Sequence, residues 1–181
     1  MYNFKHLYGY QHYIPAENLS KGFHGVLFGY LEKYSKQSDS LLLVGENKEV
    51  IKTFREKSFK NTTSCLTYSG NSGEIFDVDL NILLPLQFLQ LWKPDNIIFC
   101  QALLEHTCRP SIVIENLARM TTPDGYILLH THNRNMGEHK FPVDCCRFLP
   151  DFFTELQKYL PIEMVEFDEW DEHLFACYRK E

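Results

Sequence analysis

Apolar residues recur along this chain in two rhythms, and the switches between them predict an alternation of helix and strand. Phe23, Val26, Leu27, Tyr30, Leu31 and Tyr34 fall at the i, i+3, i+4, i+7, i+8 and i+11 positions of an amphipathic helix, with Ser20 placed to cap it. Ser40-Leu-Leu-Leu-Val-Gly45 is a short, unbroken apolar run ended by glycine, the pattern of a strand buried on both faces. Lys48 to Phe59 returns to helical spacing through Val50, Ile51 and Phe54. Thr62 to Tyr68 and Ile75 to Asp79 read as a second and a short third strand. Pro85 divides Asn81 to Trp92 into a loop and a short helix.

The clearest strand ending is Asn96-Ile-Ile-Phe-Cys-Gln-Ala-Leu-Leu-Glu-His106, an apolar burst that runs out into polar atoms. Pro110 then opens a helix to Met120, and Thr122-Pro-Asp-Gly125 is a turn signature before a fifth strand, Tyr126 to His130. A polar loop from Thr131 to Arg147 precedes a helix over Asp151 to Leu160. Ile162 to Phe167 and Leu174 to Arg179 close the chain as two strands with a tight connection. The alternation predicts an α/β domain with a doubly wound, mostly parallel sheet and an antiparallel C-terminal strand. Residues 1–39 form an arm and helix, and residues 40–181 form the core of a single domain. In such a sheet ligands bind beyond the carboxyl ends of the strands, which directs attention to Gln101, Glu105 and His106.

Composition narrows the function. The chain has 18 Lys and Arg against 24 Asp and Glu, a net charge of -6, which disfavours a nucleic-acid reader. Its six cysteines show no CxxC pair and no repeated spacing, so neither a zinc knuckle nor a disulfide framework is expected. No apolar run reaches the ~18 residues of a membrane span, and the first residues lack the charged-then-apolar order of a signal peptide. The expectation is a cytoplasmic protein with reduced thiols and no membrane partner.

Several motifs then carry a resemblance. Asp79-Leu-Asn-Ile-Leu-Leu-Pro85, Cys100-Gln-Ala-Leu-Leu-Glu-His106 with Arg109-Pro110, Ala118-Arg-Met-Thr-Thr-Pro-Asp-Gly125, and His139-Lys-Phe-Pro-Val-Asp-Cys-Cys-Arg-Phe148 stand in the expected order. Together they resemble the class I S-adenosylmethionine-dependent methyltransferases, in a type 11-like form, over about Leu41 to Arg179. The resemblance implies a Rossmann-like methyltransferase fold and S-adenosylmethionine as cofactor. It places Gly45, Glu46, Asn47, Asp79 and Gln101 around that cofactor, with Asp79 on the adenine amino group and Glu46 on the ammonium.

Two departures stand beside it. The glycine-rich loop after the first strand reads Gly45-Glu-Asn-Lys-Glu49, with one glycine, and the second strand leads into Thr67-Tyr-Ser-Gly-Asn71, with no carboxylate for the ribose hydroxyls. No metal is assigned, because the Glu-x-x-Glu-His cluster of some relatives has Ala102 at its first position and the histidines lack paired spacing. Glu105 and His106 are expected to brace a loop. His130 and His132, two apart, point to one side of their strand. His132 and His139 are the candidate bases, since a neutral imidazole removes a proton near pH 7. Asp144 and Arg147 either recognise an acceptor or pair with each other. The function expected is methyl transfer to a small-molecule or sugar-like acceptor. The alternative is a domain of the same fold that has lost its cofactor and serves as a binding or scaffold subunit.

Overall fold

Strands β1 (Leu41–Val44), β2 (Thr62–Leu66), β3 (Phe76–Asp77), β4 (Asp95–Gln101), β5 (Thr121–His132), β6 (Ile162–Trp170) and β7 (His173–Lys180) join in one sheet, ordered β3-β2-β1-β4-β5-β7-β6. The computed structural model describes residues 23–36, 39–46, 62–66, 76–138 and 143–181. The aromatic arm, Ser20, the helix expected over Lys48 to Phe59, and the sites Asn47 and His139 lie outside the described residues.

Neighbours from β3 through β5 run parallel, and β7 enters antiparallel to both β5 and β6. The unbroken apolar run of β1 follows from its central place, for all four residues are fully buried and successive side chains serve opposite faces. Leu41 and Leu43, with Ile97, Phe99, Leu128, Phe175 and Cys177, meet Leu27, Phe28, Tyr30 and Leu31 of helix α1 (Phe23–Tyr34). Leu42 and Val44, with Ile98, Cys100, Ile127 and Leu129, face helices α3 (Pro110–Met120) and α4 (Pro150–Leu156). Helix α2 (Leu86–Leu91) has no buried residue and leaves Leu91 90% exposed.

Among the described residues the expected order of elements holds, and several ends differ. β3 ends at Asp77, before the expected Asp79, α4 ends at Leu156, before the expected Leu160, and β6 runs on to Trp170, past the expected Phe167. β5 is longer at both ends, reaching His132 because β7 pairs with it from Tyr126 through His132. Thr122–Gly125 lies inside that strand as an irregularity, with a register shift against β4 and Asp124 at φ 59°. Gly125 is required there, because a Cβ would lie 2.7 Å from the Asn96 carbonyl oxygen. Among the described residues no helix is long and apolar enough to cross a membrane.

A buried side chain shapes the segment after β3. Asn116 of α3, fully buried, accepts from the Leu84 amide at 2.9 Å and donates to the Leu80 and Ile82 carbonyls at 3.1 and 2.8 Å. Arg119 adds a bond to the Leu84 carbonyl at 2.9 Å.

Candidate functional site on the carboxyl edge of the sheet

Val44 of β1 lies beside Cys100 of β4, and from that pair the sheet grows in opposite directions, through β2 on one side and β5 on the other. This reversal opens a crevice beyond the carboxyl ends of the two strands. Gly45 turns the chain out of β1 at φ 81°, in the left-handed region that glycine occupies without strain. Glu46 follows, buried to 5% exposure, and Gln101 ends β4 half-buried beside them. Ala102 then adopts φ 47°, and its amide donates to the His130 carbonyl at 3.0 Å.

Asp79 reaches the same edge after β3, and its side chain is exposed. Its Oδ1 accepts from the backbone and side-chain amides of Asn81, at 2.9 and 3.2 Å. Asn81 passes the connection on, its Oδ1 accepting from the Cys108 and Arg109 amides at 3.0 and 3.2 Å, just before α3. The acid that the family pattern puts on a cofactor thus supports a turn and a helix start.

The other half of the edge is organised by Glu105. It sits in the 3-10 helix Leu104–His106, fully buried. One carboxylate oxygen accepts from the Thr131 hydroxyl at 2.6 Å, and the other lies 3.2 Å from His132 Nε2 and 3.9 Å from His106 Nε2. The Glu105 carbonyl accepts from the Cys145 and Cys146 amides at 2.7 and 3.1 Å, and His106 Nδ1 contacts the Val143 carbonyl at 2.5 Å. Glu105 and His106 brace the loop, as their position before a helix suggested.

His130 and His132 share one side of β5, and the antiparallel register sets His173 opposite His132. His130 Nε2 lies 3.0 Å from His173 Nδ1, and the centroids of the three rings are 5.1 to 5.3 Å apart. Burial lowers the His173 pKa below its ordinary value, against the opposing pull of Glu172 and Asp171, so its ring is neutral at pH 7. Asp144 and Arg147 pair with each other, one contact being 2.7 Å, while Arg147 also donates to the Met136 and Gly137 carbonyls. With Met136, Glu138, Cys145 and Cys146 they line an open cleft of about 260 Å³.

The fold therefore sets Gly45, Glu46 and Gln101 at the β1–β4 reversal and His132 at the end of β5 opposite His173, while Asp79 is engaged in its own loop. Three contributors escaped the sequence reading. Thr131 and Asn116 are ordinary polar residues in sequence, but the register of the closing strands would have set His173 against His132.

No family model and no curated protein matches the sequence. Solved structures do match in shape. An S-adenosylmethionine-dependent methyltransferase from Mesorhizobium loti superposes with a TM-score of 0.66 at 9% identity, covering 90% of this chain and 100% of the other. The Burkholderia thailandensis 1,6-didemethyltoxoflavin-N1-methyltransferase, with 1,6-didemethyltoxoflavin and S-adenosylhomocysteine bound, gives 0.62 at 12% identity, covering 86% and 75%. The [4+2]-cyclase SpnF gives 0.60 at 14% identity, covering 87% and 80%. Strand order, the antiparallel β7 and helices on both faces agree with these superpositions: the chain has the Rossmann-like class I methyltransferase fold.

Proposed function

We propose that the protein is an S-adenosylmethionine-dependent methyltransferase of type 11-like character, acting on a small-molecule or sugar-like acceptor. The observation that carries this reading is the β1–β4 reversal of the sheet, with the left-handed Gly45 turn after β1 and the Glu105–His132 pair beyond β4 and β5 on the same carboxyl edge. The methyltransferase of B. thailandensis, whose bound molecules are a small heterocycle and S-adenosylhomocysteine, supports that substrate class.

The residues present fit the cofactor at its methionine end. Gly45, whose left-handed φ turns the chain out of β1, would leave room for it, Glu46 would hold the ammonium, and Gln101 would lie beside it. When bound, the cofactor supplies an electrophilic methyl on a sulfonium. The protein's part would be to hold an acceptor oxygen or nitrogen in line with that methyl. His132, oriented by Glu105, takes the acceptor's proton where one must leave, and His139 is the second candidate for that work.

A second reading rests on Asp79. Its Oδ1 is already bonded to Asn81, and the loop after β1 has one glycine, so a binding or scaffold subunit that has lost the cofactor is the alternative. Calorimetric titration with S-adenosylmethionine and S-adenosylhomocysteine decides between them. Binding is expected; no heat at about millimolar ligand, with the protein folded by circular dichroism, overturns the enzyme reading.

A further inference from the structure

We propose that His130, His132 and His173 form a binding site for one divalent transition-metal ion of the zinc class, where the end of β5 meets the start of β7. The inference does not rest on the methyltransferase reading, because a metal alone probes it.

The site is made by strand geometry. His130 and His132 are two residues apart, so their side chains leave the same face of β5. His173 stands directly across the antiparallel pair from His132, which closes a triangle of imidazoles. One ligand nitrogen from each ring lies within 4.8 Å of the other two. Around a tetrahedral ion with nitrogens at 2.0–2.1 Å, donor atoms stand about 3.3 Å apart. His130 Nε2 and His173 Nδ1 are already 3.0 Å apart, so rotations that move the remaining nitrogen by about 1.5 Å complete the set. Rings packed only for apolar contact have no need to bring nitrogens together; these converge.

The surroundings suit a cation. The Glu105 carboxylate, fully buried, lies 3.2 Å from His132 Nε2, and a carboxylate on a ligating imidazole fixes its ring and offsets the charge of the ion. His173 is half-buried beside the β6–β7 turn, which leaves a route from solvent. Three histidines are a donor set that leaves a fourth position open for water or an acceptor oxygen. Imidazole nitrogen selects zinc, cobalt, nickel or copper over magnesium and calcium, which take oxygen. An ion seated there would take His132 as one of its ligands, and that imidazole would then not be available as a base.

The test uses the full chain, stripped with chelator and titrated with Co²⁺ and Zn²⁺ alone. One ion per chain and a visible Co²⁺ absorption band of the tetrahedral type are expected, and millimolar Mg²⁺ should not displace it. His173→Gln, at the most exposed ligand, should weaken binding by at least about tenfold while the melting curve remains cooperative. Cys108→Ser/Cys145→Ser should bind as the parent does, which separates the imidazoles from the neighbouring thiols, whose sulfurs are 3.5 Å apart. Absence of binding by the folded protein overturns the proposal. So does binding that survives His173→Gln unchanged, or that disappears with the two thiols.

Discussion

At the β1–β4 end of the carboxyl edge Gly45 makes a turn, and exposed Asp79 bonds within its own loop to Asn81. At the β4–β5–β7 end the polar groups act as a unit, with Glu105 joined to Thr131, His132 and the Cys145–Cys146 backbone, and His132 packed on His130 and His173. The difference shows where burial demands partners. A carboxylate removed from water needs compensation on its lone pairs, so Glu105 gathers a network, whereas exposed Asp79 needs none beyond its own turn.

Substitutions can break this contrast. Glu105→Ala should have the largest effect, a loss of about 3 kcal/mol from the bond to Thr131 and the contact with His132, read in a denaturant melt. An unchanged midpoint would mean that the network contributes nothing. On the other side of the edge, Asn116→Ala removes three hydrogen bonds, two of them buried, under the 80–84 segment and should cost about 2 kcal/mol. If the proposed function holds, it should also weaken S-adenosylhomocysteine binding through the displaced Asp79 loop, measurable by calorimetry. Asp79→Ala should weaken that binding without lowering stability by more than about 1 kcal/mol. Unaltered affinity would remove Asp79 from the cofactor site.

The amino end of β4 provides a calibration away from both halves. Asp95 is buried to 4% exposure, and desolvation raises its pKa to about 6, against the opposing influence of Ser40, Trp92 and Lys93. Between pH ~4 and that value the unfolded chain has released its proton while the folded chain retains it, so stability falls as pH rises through this window. Asp95→Asn should therefore remove a pH-dependent loss of at most about 3 kcal/mol, visible as a higher midpoint at pH 7 and little change at pH 4. The smallest effect is expected at Tyr34→Phe, which deletes one bond to Glu166 of 2.6 Å and should cost roughly 0.5–1 kcal/mol.

Much of the architecture was legible because buried parallel strands leave a local mark. Leu41 to Val44 and Ile97 to Cys100 are apolar at every position since both their faces are covered, and that can be read without knowing what covers them. The helical spacing from Phe23 to Tyr34 and the proline at the start of α3 are equally local. Strand ends were less legible. The extension of β5 to His132 depends on β7, some 40 residues later in the chain, and the Thr122–Gly125 irregularity depends on the approach of Asn96.

The sequence by itself determined the alternation of elements, the fold class and the cluster of chemistry-bearing residues after β4 and β5. These follow from periodicity, turn residues and motif order, all written within short windows of the chain. Only the tertiary structure decided what those residues face. It assigned Asp79 to its own turn, made Glu105 the hub, and brought His173 onto His130 and His132. Side-chain roles of this kind depend on strand register and on burial, and both arise when distant segments pair.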